Sequence, residues 1–166
     1  MGASPIFPRL ATTCSAPRPA PAHREEDTMT PNDARKRLLA FRSRLYVDHD
    51  LGAVDDYLHP EFESDSPLIA SPGREAYRQF VRMLHEGLPD LCPVEQTILV
   101  EHDRMMAMTH WRATHTGPFL GVAGTGKTLT FKTADRYELR DRQLYRHWDV
   151  VDRLDASMAI GLLRPV

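Results

Sequence analysis

Near residue 93 the spacing of apolar side chains changes from every third or fourth residue to every second, and this change constrains the fold more than any other feature. Upstream of it the chain reads as helices. Thr30-Pro31-Asn32-Asp33 supplies a capping hydroxyl, a proline at the first helical position and an acid where the helix dipole favours one. Leu38, Phe41 and Leu45 follow at helical spacing, which predicts a helix to about Val47. Asp50 is placed to cap a short second helix through Leu58, closed before Pro60. Ser71-Pro72 repeats the start signal, and Ala76, Phe80, Met83 and Leu84 form a stripe that stops near Gly87 and Pro89.

Downstream the period is two. Val94, Gln96, Ile98 and Val100 alternate with Glu95, Thr97, Leu99 and Glu101, and strands follow over about Arg104 to Thr116, Thr128 to Arg140 and Gln143 to Asp152. A brief helix from about Asp155 to Leu163 closes the chain. Helices followed by a meander of antiparallel strands predict an α+β fold, with a curved sheet wrapped around the N-terminal helices and a cone-shaped pocket between them. A parallel sheet would need helices between these strands, and there is no room for them.

At 166 residues the chain holds one domain. Its boundary is expected after residue 28, because Pro5, Pro8, Pro17, Pro19 and Pro21 break a stretch with no helical or strand period. Residues 1–28 are expected to be a disordered tail and 29–166 the folded domain, with Met29 as the natural first residue. A net charge of -2 points away from nucleic acid and anionic membranes and toward a small neutral or weakly charged ligand. Cys14 and Cys92 form no CxxC pair, and no apolar run approaches the roughly 20 residues of a membrane span. A soluble, cytoplasmic protein is expected.

Gly121-Val122-Ala123-Gly124-Thr125-Gly126-Lys127-Thr128 matches the P-loop pattern letter for letter. That motif binds phosphate only where a helix opens at its Lys-Thr end. Here Leu129-Thr130-Phe131-Lys132-Thr133 alternates as a strand, so the run reads as a glycine-rich strand connection with Lys127 in solvent.

On the strand from Thr128, the face holding Leu129, Phe131, Thr133, Asp135, Tyr137 and Leu139 is the buried one. Asp135 is then a carboxylate among apolar neighbours, either a structural acceptor or part of a site. On the last strand Tyr145, His147, Asp149 and Val151 share one face, and Leu144, Arg146, Trp148 and Val150 the other. Periodicity does not say which is inward. A three-residue turn, Arg140-Asp141-Arg142, would put Asp135 and Asp149 diagonally on one face, whereas a two-residue turn would separate them. His110 and His115 are five apart on a strand and face opposite ways, so no metal site is expected.

Trp111, the run Thr114-His115-Thr116-Gly117-Pro118-Phe119-Leu120-Gly121, Thr125-Gly126-Lys127 and His147-Trp148-Asp149-Val150-Val151-Asp152 together resemble the SnoaL-like polyketide cyclases of the NTF2-like fold. The resemblance implies a cofactor-independent intramolecular aldol ring closure on an aromatic polyketide-type ester. It implies Asp149 as the acid/base residue and places a polar partner at Asp135, where the family often has His. In that scheme Asp149 removes an acidic C–H proton and returns a proton to the new alkoxide, while a protonated Asp135 donates to the enolate oxygen. His147, His115, Trp111, Tyr137, Phe131 and Tyr46 are the candidate substrate-binding residues for a small hydrophobic polycyclic or carbonyl substrate. The family likeness also implies a homodimer or homotetramer through the open sheet face.

Two other functions fit the same residues: an isomerase or epoxide hydrolase on this fold, and a binding or dimerisation module without catalysis. Three departures bear on the choice. Arg142 stands where a glycine is usual, Arg146 replaces a common acid, and Ser64-Asp65-Ser66 replaces a His- or Asn-containing segment.

Overall fold

The computed structural model describes residues 29–163, so the expectations for residues 1–28 lie outside the described residues. The chain runs α1 (Pro31–Arg42), a π-helical turn (Ser43–Val47), α2 (Ala53–Tyr57), β1 (Leu58–Ser64), α3 (Arg74–Gly87), β2 (Cys92–Glu101), β3 (Arg104–Thr114), β4 (Thr128–Arg140), β5 (Gln143–Asp152) and α4 (Leu154–Ile160). The five strands form one sheet in the order β1-β5-β4-β3-β2. The α+β class read from the change of period is the one observed. Among the described residues no helix is long and apolar enough to cross a membrane.

Local chemistry fixes the helix starts. Thr30 caps α1 by accepting from the Asp33 amide, with Pro31 at the first position. Leu38, Phe41 and Leu45 are fully buried, and each such side chain contributes roughly 1.5 to 3 kcal/mol. The Asp50 carboxylate accepts from the Gly52 amide and so closes the turn that leads into α2. The third helix begins later than Ser71-Pro72 suggests: Gly73, with φ at 107°, precedes it. Its buried stripe is Tyr77, Val81 and Leu84, one residue round from the expected one, with Ala76, Phe80 and Met83 half-buried.

Two features of the sheet differ from the expected meander. The strand β1 was not anticipated, because Pro60 interrupts its alternation, and it pairs parallel to β5 rather than antiparallel. Pro60 is tolerated because β1 is an edge strand, as is β2 with Pro93. The turn between β4 and β5 has two residues, Asp141 and Arg142, with φ of 49° and 60°. This is the mirror-image geometry that matches strand twist and that favours glycine.

A regular ladder from that turn would put Asp149 on the opposite face from Asp135. Instead the register shifts between Glu138 and Leu139: Leu139 faces Leu144 and Glu138 faces Arg146, leaving Tyr145 as the extra residue of a bulge. Asp135 then lies directly across from Asp149. The inward face of β5 becomes Leu144, His147, Asp149 and Val151, so Leu144 changes sides from the simple alternation.

The glycine-rich run is an irregular connection from β3 to β4, as its strand-like sequel requires. A side chain at Gly124 would meet the Thr116 carbonyl oxygen at 2.0 Å, and one at Gly117 would meet that of Glu86 at the same distance. The glycines serve close backbone packing. Lys127 is exposed and its ammonium donates to the Ala159 carbonyl of α4.

Candidate functional site

Between the inner face of the sheet, α3 and α4 lies a cavity of about 70 Å³, room for several waters. Its walls are mostly apolar, with Phe80 and Leu84 from α3, Trp111 from β3, Phe131 from β4 and Ile160 from α4. Tyr46, Thr133, Asp135, His147, Asp149, Arg153 and Ser157 are the polar residues on its wall. Such a shape with few convergent polar groups is that of a small-molecule site.

The cavity rests on a buried ion pair. Arg42, the last residue of α1, places Nη1 3.2 Å from Asp135 Oδ2 and donates to the Tyr137 hydroxyl at 3.1 Å and, through Nη2, to Thr109 Oγ1 at 2.9 Å. Its guanidinium also lies over the rings of Trp111 and Tyr46, 5.1 and 5.6 Å from their centroids. Burial works against its charge, yet Asp135 together with Tyr137, Tyr46 and Tyr77 more than offsets this and raises its pKa. The π-helical turn that follows keeps Tyr46 on the same side of the helix as Arg42, facing the cavity.

Asp135 is charged. Burial pushes its carboxyl pKa up, but Arg42, the His147 imidazole and a 2.7 Å hydrogen bond from Thr133 Oγ1 together bring it down to about 2. This corrects the expectation that Asp135 is protonated and donates to an enolate. The Arg42 guanidinium holds the carboxylate ionised.

His147 bridges the two edges of the site. Its Nδ1 is 2.9 Å from Ser64 Oγ on β1, and its Nε2 is 3.4 Å from Asp135 Oδ1. The Asp135 carboxylate can only accept, so Nε2 carries the proton that faces it, and Ser64 Oγ also accepts from the Ser66 amide. Ser64 is in place because β1 runs parallel to β5 with Ser64 opposite His147. Asp149 is different. It is only 8% exposed, and its Oδ1 has no hydrogen-bond partner among the described residues. A buried unpaired carboxylate oxygen is costly to maintain, so a ligand donor is its expected complement.

Trp111, Phe131, Tyr46, His147, Asp135 and Asp149 all line the cavity. Trp111 donates to Thr133 Oγ1 at 3.0 Å, and the Tyr46 hydroxyl is 2.6 Å from that of Tyr77. Tyr137 and His115 do not line it, which corrects their placement as substrate contacts. Tyr137 is fully buried beneath the site, with its hydroxyl on Arg42. His115 is fully buried in the β3 to β4 connection, where Nδ1 meets Thr125 Oγ1 at 3.0 Å and its carbonyl accepts from the Thr125 and Gly126 amides. Arg42 and Ser64 are the functional positions that sequence reasoning missed. The signal for Arg42 was an arginine on the apolar side of α1, one residue from Phe41.

Asp135, His147 and Asp149 bring one donor atom each within 4.8 Å of one another, a spacing that suits a metal ion. The donor set does not. Asp135 is already neutralised by Arg42, and a cation there would sit beside a fixed guanidinium. His110 lies on the other face of β3 from Trp111, away from this cluster.

The sequence profile described as SnoaL-like polyketide cyclase matches residues 36–160. Among curated proteins no match is found. Solved structures of similar shape include AclR of Streptomyces galilaeus, put forward as a hydroxylase, at 20% identity, with 81% of this chain and 100% of that one covered and a TM-score of 0.73. TsrD of Streptomyces laurentii is 25% identical, over 78% of this chain and 96% of its own, with a TM-score of 0.68. A SnoaL-like polyketide cyclase of Agrobacterium tumefaciens is 18% identical, over 77% and 98% respectively, at 0.65. These likenesses establish the NTF2-like fold, and with the profile match running from within α1 to the end of α4, the chain belongs to the SnoaL-like polyketide cyclase family.

Proposed function

We propose that this protein is a cyclase that closes a ring by intramolecular aldol addition on an aromatic polyketide-type ester, with Asp149 as the acid/base residue. The observation that carries the reading is the unpartnered Asp149 Oδ1 inside an apolar cavity. Asp149 takes a proton from carbon next to a carbonyl, the C–H electron pair becomes the enolate, and the enolate carbon attacks a second carbonyl. Asp149 then returns the proton to the new alkoxide. No redox change occurs and no cofactor enters.

The enolate oxygen needs a donor, and a charged Asp135 cannot supply one. Tyr46 is suited to the role. Tyr77 is fully buried with its hydroxyl on Tyr46, so donation from Tyr77 leaves the Tyr46 proton to the cavity. Burial lifts the Tyr46 pKa to about 12, so the hydroxyl keeps its proton at neutral pH. Asp135, balanced by Arg42 and held by His147, forms a fixed polar floor that positions the ligand.

A homodimer through the outer sheet face belongs to the same proposal. Leu99 (61% exposed), Met108 (58%), Val150 (53%) and Trp148 (39%) make an apolar band on the outer face, which β4 continues with Ala134 and interrupts with the exposed Arg136 between Met106 and Trp148. Rows of alternating charge flank it: Glu95, Lys132 and Asp152 on one side, and Arg104, Glu138 and Arg146 on the other. Such rows complement themselves when a second copy is turned about a two-fold axis.

The test is deuterium uptake from D₂O at the acidic C–H of an aromatic β-keto methyl ester, followed by NMR, with ring closure followed by absorbance. Asp149→Asn should lower the rate above background by 10² to 10⁴-fold while ligand binding persists. Unchanged turnover in this variant would remove Asp149 from the mechanism. Binding without any turnover in the unmodified protein would favour a binding module.

A further inference from the structure

The cavity does not end at Asp149. A second recess of about 210 Å³ opens beside its mouth, between the segment at Pro67 and Leu68 and the end of β5. Leu68, Asp149, Val151 and Arg153 wall both spaces, so the two adjoin at the Asp149 carboxylate. The inner part is walled mostly by apolar side chains, and the outer part is bordered by Pro67, Leu68, Asp149, Val150, Val151 and Arg153.

Charge is unevenly placed along this path. Inside stand two carboxylates, Asp135 and Asp149, of which only Asp135 has a cationic partner. At the mouth stands Arg153, exposed and without an ion-pair partner among the described residues. It is the sole cationic side chain on the wall of either space. Asp149 and Arg153 border both spaces, but the inner one is otherwise apolar and also holds Asp135, so an anionic group is disfavoured inside and has Arg153 as its cationic neighbour in the outer recess. The guanidinium fork suits a planar carboxylate.

We infer that the ligand of this site is bipartite, with a neutral carbonyl-bearing ring in the inner cavity and an anionic substituent, a carboxylate or an ionised phenol, held by Arg153 in the outer recess. This rests on the reading of the cavity as a substrate site, and it names a feature of the substrate that the aldol scheme does not require. It also fixes orientation. The anion anchors one end, so the carbon beside Asp149 is set by the distance from the anchor.

Calorimetric binding of anthraquinone-2-carboxylate and of its methyl ester tests the inference. The unmodified protein should bind the acid about tenfold more tightly than the ester, as one charge-assisted contact at a partly exposed site would give. The preference should shrink in 0.5 M salt. Arg153→Gln should weaken the acid to the level of the ester and leave the ester unchanged, and Arg153→Lys should keep part of the preference. Equal binding of acid and ester by the unmodified protein, or equal weakening of both by Arg153→Gln, would overturn it. So would binding of neither probe, which would also remove the cavity as a ligand site. A persistent acid preference in a protein whose turnover is unaffected by Asp149→Asn would leave the inference standing and sink the proposed mechanism alone.

Discussion

Removing the Arg42 guanidinium should destabilise the protein in a way that depends on pH, because the side chain it leaves behind is a buried carboxylate. Asp135 has its pKa moved from 3.8 to about 2, which corresponds to about 2 kcal/mol of stability at neutral pH. A depressed carboxyl pKa stabilises the folded state fully above the unfolded value of 3.8, and the contribution is lost as pH falls toward 2. In Arg42→Met the burial of Asp135 remains without its cation, so its carboxyl pKa should lie above the unfolded value. The charged form then opposes folding at neutral pH, and the penalty is relieved as pH falls and the carboxyl protonates. Cutting one partner out of a buried pair costs about 3 to 5 kcal/mol, and the lost hydrogen bonds to Tyr137 and Thr109 lie within that range. Urea unfolding of both proteins at pH 7.5 and pH 4 measures the difference. It should be at its full value at pH 7.5 and clearly smaller at pH 4, and Arg42→Met with Asp135→Leu should recover much of the loss. A difference that is independent of pH, or below about 1 kcal/mol at pH 7.5, would refute the reasoning.

Two further outcomes concern the sheet. Arg142→Gly should raise stability by about 1 kcal/mol, since Arg142 has φ at 60° in the β4 to β5 turn, and thermal unfolding reads this directly. Met108→Glu places a carboxylate in the middle of the outer apolar band and should convert a dimer to a monomer with the fold intact, seen by light scattering and circular dichroism. An unmodified protein that is already monomeric would remove the dimer from the proposal.

Much of the fold was legible because single elements declare themselves locally. Thr30 caps α1 as its neighbours require, and β4 and β5 begin and end where the alternation does. The strand β1 was hidden because Pro60 breaks its alternation, and only its edge position, a fact of the assembled sheet, makes that tolerable. The site divided along the same line. Asp135 and Asp149 could be named from strand faces and from the family likeness, and both do line the cavity. The charge state of Asp135 could not, because Arg42 is 93 positions away in sequence and meets it only through tertiary packing. His115 illustrates the reverse error: a histidine in a motif-like run serves its own loop through Thr125.

The bulge at Tyr145 means that the β4 to β5 hairpin carries one residue in reserve. Deleting Tyr145 would leave a regular ladder from the same two-residue turn, with Asp135 still opposite Asp149. A single deletion elsewhere between the turn and Trp148 is absorbed the same way, by giving up the bulge. A second has nothing left to absorb it, and would carry Asp149 to the outer face. The tip of this hairpin can therefore tolerate one step of length change in a lineage of such chains while the cavity keeps its chemistry, which makes hairpin length a poor guide to whether a relative retains the site.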